Sequence, residues 1–367
     1  MVIALQHVSR GNRSRSLHLV LRRSSVHARL PQTLSAAAVM CALAAGGAAA
    51  QAPSPPQVSV GALTYLQYVY QLKDTANHLN NFEVTRAYIN VNARLSNGVT
   101  ARITPDVFRT LTGLSFRLKY AFVTYTPTAS PLTFKLGQMH TPWLDWEEAV
   151  WDYRMQGSMA LDRNGYLSAS DLGAGVDGKW GPDKVNLQVT AVNGEDFKSS
   201  AGDQRKDVMG RVSVRVLDTD DSSRVGGLRL TAYGQYGKPT SGGKRYRWVG
   251  MVSYRSKQVT LAGEYASTKD TVTATPLAET NGRVISGFGV YHVPRSRVAV
   301  LARVDVVDPN TNVADDRQTR VIGGVSYQLS PNLRLLADWD YVDYQGTPTA
   351  AQEATRSQAL FQTQFSF

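Results

Sequence analysis

Apolar and polar residues alternate with a period of two along almost the whole chain after residue 56. Between residues 86 and 95, small or apolar side chains alternate with Arg86, Tyr88, Asn90, Asn92 and Arg94. This period is typical of β-strands with one polar and one apolar face. The pattern predicts sixteen strands, near 57–72, 82–96, 98–106, 115–126, 131–138, 171–181, 184–194, 205–217, 225–237, 244–256, 258–268, 282–293, 296–307, 317–329, 332–343 and 354–367.

The connections between these strands alternate in length. Very short links follow every second strand, as in SNG at 96–98, GPD at 181–183 and SPN at 330–332, with DTDDSSR at 218–224 as the exception. Longer links lie between them, such as KDTANHLNN at 73–81 and DPNTNVADD at 308–316. An even number of strands with short turns at one rim and long loops at the other is the design of outer-membrane barrels. We therefore predict an all-β fold, a transmembrane antiparallel β-barrel of sixteen strands over residues 57–367.

The last seven residues, FQTQFSF, place Phe361, Phe365 and Phe367 on one face of a strand. A barrel closes when its last strand pairs with its first, so this strand would be fully hydrogen-bonded. The terminal aromatic also resembles the end-signal that the barrel-assembly machinery reads in such proteins, which makes Phe367 a candidate contact for that partner. An ordinary amphipathic edge strand is the alternative.

The front of the chain predicts export. Residues 1–33 carry six arginines and no acid, and an Ala-rich apolar run follows and ends at Ala48-x-Ala50. This order indicates a signal peptide over 1–50, cleaved after Ala50, with a Pro-rich linker at 51–56. Without residues 1–50, the formal charge falls from +11 to that of 34 basic and 29 acidic residues. Cys41, the only cysteine, is also lost, which excludes disulfides and thiolate chemistry from the mature chain.

Basic residues dominate the polar register that would face the barrel interior. The expected pore-lining bases are Arg86, Arg94, Arg102, Arg117, Lys119, Lys135, Arg211, Arg215, Arg229, Arg247, Arg303 and Arg334, joined in the same register by Arg245, Arg255 and Arg320. The inward acids are fewer: Asp106, Asp177, Glu264, Asp305, Asp338 and Asp340. Fixed positive charge in a water-filled lumen favours anions, phosphate among them. Alternatively, the arginines pair with these acids and hold the wall together.

The longest connection, residues 139–170, is the third loop at the long-loop rim. We expect it to fold into the lumen and set the constriction. Thr141-Pro142 predicts a cap and first helical turn, with Trp143, Glu147 and Val150, or Trp146 and Val150, facing the wall. Asp145, Glu147, Glu148 and Asp152, with Arg154 nearby, would set charges opposite the bases of the wall. A calcium site is the alternative for these acids, but they lack EF-hand spacing; we expect no metal and no cofactor.

Three segments resemble the phosphate-selective porin family: FEVTRAYINVNARLSNGVTARITPDV at 82–107, PLTFKLGQMHTPW at 131–143 and DLGAGVDGKW at 171–180. The resemblance implies a sixteen-stranded barrel, a homotrimer, and passive diffusion of small anions. It assigns no phosphate-binding arginine to a numbered position of this chain.

The sequence therefore predicts an outer-membrane porin that contacts membrane lipid and small hydrophilic solutes, without nucleic-acid partners. An outer-membrane hydrolase is one rival, but the mature chain offers only His78, His140 and His292 without a nucleophile motif. An adhesion or structural barrel and a soluble β-protein are the others.

Overall fold

The computed structural model describes residues 55–110, 112–197, 204–239, 242–272 and 278–367. Sixteen antiparallel strands form a closed barrel in which each strand pairs with its neighbours in the sequence. The predicted fold class is confirmed. The strands are β1 Gln57–Gln71, β2 Asn80–Arg94, β3 Val99–Thr110, β4 Gly113–Tyr125, β5 Leu132–His140, β6 Ser170–Trp180, β7 Val185–Val192, β8 Asp207–Leu217, β9 Gly227–Gly237, β10 Lys244–Arg255, β11 Val259–Val272, β12 Ala278–His292, β13 Val298–Asp308, β14 Gln318–Ser330, β15 Leu333–Tyr344 and β16 Ser357–Ser366.

Within the residues that the structure describes, helical structure is confined to two connections. The loop between β5 and β6 contains α1 (Leu144–Trp151), a 3-10 turn (Arg154–Gln156) and α2 (Ala160–Arg163). The loop between β15 and β16 contains α3 (Ala350–Thr355). In the described segments, every helix is too short or too polar to cross a bilayer.

The barrel closes between its first and last strands. β1 pairs with β16 from Leu63↔Ser366 to Gln71↔Gln358. Beyond the last paired residue, the Ala62 amide donates to the Phe367 carbonyl at 2.9 Å, and the Phe367 amide donates to the Ala62 carbonyl at 3.1 Å. The expectation that the terminal strand is hydrogen-bonded on the closing side is confirmed.

Side chains alternate between the two faces of the wall as the sequence predicts. Ile89 is 51% exposed on the outer face, whereas Tyr88 beside it is 7% exposed. Trp248 is 66% exposed and its neighbour Arg247 is 3% exposed. Because the outer positions are apolar, a register slip by one residue would turn the arginines toward lipid at about 2–4 kcal/mol each near the midplane.

Two of the sequence-based strand assignments need correction. β3 and β4 pair as far as Thr110↔Gly113, so only two residues separate these strands at a rim where long loops were expected. The last strand was predicted from residue 354, but Thr355 still belongs to α3 and β16 begins at Ser357. The Thr349 hydroxyl caps this helix in a capping box with Gln352, which explains why the strand starts later. The predicted signal peptide, 1–50, lies outside the described residues.

Candidate channel constriction

The connection between β5 and β6 folds into the barrel, and its apolar side is completely buried. Residues 141–169 leave the wall after His140 and return at Ser170, close to the predicted bounds of 139–170. Trp143, Trp146, Val150 and Trp151 are all 0% exposed. These residues recur at helical spacing on one side of α1, which is why the helix lies against the wall.

Aromatic contacts fix the position of α1 along the wall. The ring of Trp143 lies 5.7 Å from that of Tyr233 on β9, and the ring of Trp151 lies 5.1 Å from that of Phe288 on β12. The Arg211 guanidinium from β8 lies 4.0 Å from the ring of Trp146. The helix therefore covers the interior face of β8 to β12.

The predicted helix start needs correction. The Thr141 hydroxyl does not cap α1, because it donates to the Ser168 carbonyl at the neck of the loop. The helix begins at Leu144, and its N-cap residue Trp143 makes no side-chain capping bond. The tryptophan side chains, rather than a polar cap, hold this end of the helix.

Arginines from the wall donate to backbone carbonyls of the loop. Arg211 Nε donates to the Pro142 carbonyl at 2.9 Å, and Arg247 Nε donates to the Tyr166 carbonyl at 3.1 Å. An irregular loop inside a barrel has carbonyl groups with no strand partner, and buried carbonyls need a donor. The same contact recurs for Arg255 with Ala149, Arg303 with Ser158 and Arg334 with Asp152. We call these five residues the clamp arginines.

The clamp arginines change the interpretation of the expected pore-lining set. Arg211, Arg247, Arg303 and Arg334 lie on the predicted inner face, but they hold the loop. Two further bases, Arg215 and Arg229, donate to the carbonyls of Ser223 and Asp183. Arg303 is 1% and Arg229 is 0% exposed, so the expectation that they line open water is wrong.

The remaining expected bases lie on β2 to β5, opposite α1. They are Arg86, Arg102, Arg117, Lys119 and Lys135, and we call them the free arc. Arg94, also in the expected set, is the exposed last residue of β2 at the short-turn rim.

Two carboxylates balance part of the charge of the free arc. Asp106 accepts from Arg117 at 2.9 Å and lies 3.5 Å from Arg86. Lys135 lies 2.5 Å from Asp177. Arg102 and Lys119 are different, because the hydrogen bonds found for them within the described segments go to neutral groups. Arg102 donates to Asn90 at 2.7 Å, and Lys119 donates to the Tyr88 hydroxyl at 3.1 Å.

The loop presents a mixed set of charges to the free arc. Arg154 bonds to Glu148 at 2.7 Å and lies 3.6 Å from Asp162. Burial opposes the charged form of Arg154, but Glu148 and further groups around it outweigh burial and raise its pKa. Asp145 pairs with Arg224 at 2.7 Å. The acids Asp145, Glu148 and Asp162 therefore lie in ion pairs with bases.

Two of the predicted constriction acids have other positions. Glu147 is 0% exposed and contacts Glu264 on the wall, so its predicted place opposite the bases of the pore is wrong. Asp152 lies 3.4 Å from Arg334, at the end of α1. Across the described segments, no three His, Cys, Asp or Glu side chains form a group that could hold a metal ion.

Sequence reasoning missed Asp162 and Arg224. Arg224 lies in the connection 218–226 between β8 and β9, the one that was unusually long for its rim, and it also donates to the Asp145 carbonyl at 2.8 Å. The unusual length of this connection was the signal in the sequence, because a longer turn can reach the N-terminal end of α1.

Sixteen strands that close around a charged interior narrowed by an inserted loop define an outer-membrane diffusion channel. The family model for Gram-negative porins matches residues 36–347, and the chain belongs to this family. No curated protein matches the chain significantly in sequence.

Solved structures share the fold at low sequence identity. A trimer form of OmpT, an outer membrane protein of Vibrio cholerae, is 13% identical with a TM-score of 0.62, over 86% of this chain and 100% of that one. An anion-selective porin from Comamonas acidovorans is 13% identical with a TM-score of 0.62, over 85% and 100%. Salmonella typhi OmpF in complex with daunomycin is 14% identical with a TM-score of 0.62, over 84% and 97%.

Proposed function

We propose that this porin mediates passive diffusion of small hydrophilic solutes and prefers anions. The observation that carries the proposal is the free arc, where five bases face Asp106 and Asp177. Fixed positive charge next to a water-filled path raises the local concentration of anions and lowers their entry barrier. The structural similarity to an anion-selective porin agrees with this preference.

Phosphate is a candidate solute. The Arg102 guanidinium donates to Asn90 and Thr104 and lies 3.4 Å from the imidazole Nε2 of His140. These partners carry no negative charge to cancel that of the guanidinium. A planar guanidinium can bind phosphate through two parallel hydrogen bonds. Block of chloride current by added phosphate would support this assignment, and full additivity of the two currents would contradict it.

The direct test is the reversal potential of the purified mature protein in a planar bilayer under a KCl gradient. A potential that favours chloride supports the proposal, whereas one that favours potassium assigns selectivity to Asp145, Glu148 and Asp162. Arg102→Gln removes one base of the free arc that is not fully buried and should reduce the chloride preference. Arg295→Gln is the matched control, because Arg295 is exposed in the turn between β12 and β13. Absence of conductance would favour an adhesion or structural barrel.

We further propose that the protein is not a hydrolase. The ring of His140 stacks on that of Tyr120 at 3.9 Å, and its Nε2 lies 3.7 Å from Asp145. These contacts pack the imidazole into the wall, without the serine that a hydrolytic triad requires. A lipase or protease activity that is present in the parent and lost in His140→Ala would overturn this assignment.

The proposed biological unit is a homotrimer, in line with the trimer form of the related OmpT. We propose export by a signal peptide cleaved after Ala50, followed by insertion through the barrel-assembly machinery with Phe367 as the recognised end. N-terminal sequencing and native mass measurement of the protein extracted from outer membranes test the leader and the trimer. Deletion of Phe367 should reduce the amount of inserted barrel if the machinery reads this residue.

A further inference from the structure

A buried pair of carboxyl groups joins α1 to the barrel wall. Glu147 on α1 is 0% exposed and Glu264 on β11 is 4% exposed. The helix α1 contacts β11, and the two carboxyl groups lie close enough for each to influence the protonation of the other. In the described segments, none of their four oxygens has a hydrogen-bond donor of normal geometry. A hydrogen bond between two carboxyl groups requires a proton, because an ionised carboxylate can only accept.

The surroundings of the pair contain further charges. Arg303 Nε on β13 donates to Asp305 Oδ1 at 2.8 Å, and Arg303 Nη2 lies 2.8 Å from Asp305 Oδ2 in an ion pair. Asp305 also accepts from the Ser286 hydroxyl on β12 at 2.7 Å. Arg163 on α2 lies 3.7 Å from Asp305. The Trp143 indole of α1 lies beside Glu264, without a hydrogen bond of normal geometry.

The charges of this cluster balance only if the pair keeps one proton. Three carboxyl groups, those of Glu147, Glu264 and Asp305, face the guanidinium groups of Arg303 and Arg163. Arg320 and Asp340, next to Arg163, form their own ion pair at 2.6 Å and add no net charge. An uncompensated charge in such a buried place costs several kcal/mol. One retained proton makes the cluster neutral.

The direction of the pH response follows from burial. Burial, with a smaller contribution from the charge of Glu264, raises the pKa of Glu147 well above its ordinary value of 4.5. The folded loop therefore binds a proton that an unfolded chain releases in mild acid. Its contribution to the attachment of the loop is present in acid and is lost as the pH rises through the raised pKa.

We propose that Glu147 and Glu264 form a proton-binding site that fastens the constriction loop to the wall, and that loss of this proton in alkaline solution loosens α1. This role does not depend on the ion selectivity of the channel. A failure of the anion proposal would leave it intact, and the reverse also holds.

Tryptophan quenching tests the site directly. Trp143, Trp146 and Trp151 are buried under α1, whereas Trp180, Trp248 and Trp339 lie on the lipid-facing surface, where detergent shields them. Acrylamide is uncharged and enters the lumen regardless of selectivity. For the full mature protein in detergent, we expect the quenching constant to rise roughly twofold between about pH 6 and about pH 10. An unchanged constant would overturn the proposal.

Variants identify the groups that titrate. Glu147→Gln keeps the shape of the side chain and can still donate to Glu264. Glutamine is neutral at every pH, so the pair keeps the charge that it has with one proton. Quenching should therefore become low and independent of pH. Glu264→Gln should have the same effect from the wall side. Glu148→Gln is the matched control: Glu148 is the next residue on α1, pairs with Arg154 and is partly exposed, and its variant should keep the response of the parent.

The folding of each variant is checked by its heat-dependent gel mobility. If Glu147→Gln and Glu264→Gln both keep the full pH response, or if Glu148→Gln removes it, the proton does not lie between Glu147 and Glu264.

Discussion

The two halves of the barrel interior use the same residue type for different purposes. On β8 to β15, arginines donate to carbonyls of the constriction loop, and Arg303 is 1% exposed. On β2 to β5, Arg102 and Lys119 bond to neutral partners across from the loop. The difference shows that the loop, rather than the wall sequence, decides which arginines can act on a solute.

Among the substitutions that test this difference between the two halves, we expect the largest effect on the free energy of unfolding. Arg303→Ala would leave Asp305, 2% exposed, without its hydrogen bond and its ion pair with Arg303. Loss of one partner of a buried ion pair costs about 3–5 kcal/mol. We expect the midpoint of urea unfolding, followed by tryptophan fluorescence in micelles, to fall accordingly. Arg102→Ala in the free arc should cost no more than about 1 kcal/mol, and equal losses would contradict the division into two halves.

The next effect concerns selectivity. Arg102→Gln removes a positive charge from the open side of the constriction, so the ratio of chloride to potassium permeability should fall roughly twofold. Arg211→Gln removes the same charge behind the loop and should change this ratio much less, because Arg211 is covered by Trp146. Reversal potentials of the two variants in the same salt gradient show which substitution changes the permeability ratio more. A larger shift for Arg211→Gln would reverse our assignment of the two sides.

A smaller effect is expected where the tip of the loop meets β14. Tyr153→Phe removes a buried hydrogen bond of 2.7 Å to the Ser326 hydroxyl. A buried hydrogen bond of this kind contributes about 0.5–1.5 kcal/mol. The free energy of unfolding in urea should fall by that amount, with a lower midpoint and no change in selectivity. Tyr291→Phe, on the lipid-facing surface, is the control and should leave the midpoint unchanged. Equal effects of the two variants would argue against the loop contact.

The smallest effect lies outside the constriction. Thr349→Ala removes the capping box of α3 and should destabilise this short helix by about 1 kcal/mol. Faster hydrogen exchange over residues 350–355, with unchanged conductance, is the expected outcome. A change in conductance would mean that α3 influences the channel, which its exposed position does not support.

The period of two was enough to predict the strands and their inner and outer faces, because each pleat reverses the direction of the side chain. It could not separate Arg102 from Arg211, since both occupy inner positions and differ only in what the loop places over them. The 32 residues at 139–170 stood out by length, so the constriction could be located but not oriented.

Glu147 shows more closely what the sequence could and could not predict. A helical wheel places Glu147 between Trp143 and Val150 on the wall side, and the structure confirms this position. The same residue was also expected among the acids that lie opposite the bases of the wall. Helical periodicity was the better guide here, whereas the partner of Glu147, Glu264 on β11, could be found only from the tertiary structure.

The closure of the barrel also orders events in time. Gln362 on β16 donates to Gln67 on β1 across 295 residues of sequence. Every other strand can pair with the strand that precedes it as the chain emerges, but the free edge of β1 must wait for the last ten residues. Until the last strand is available, one edge of the sheet stays unpaired and prone to association with other chains. An unfinished chain of this protein therefore always carries one strand edge that can pair with another chain.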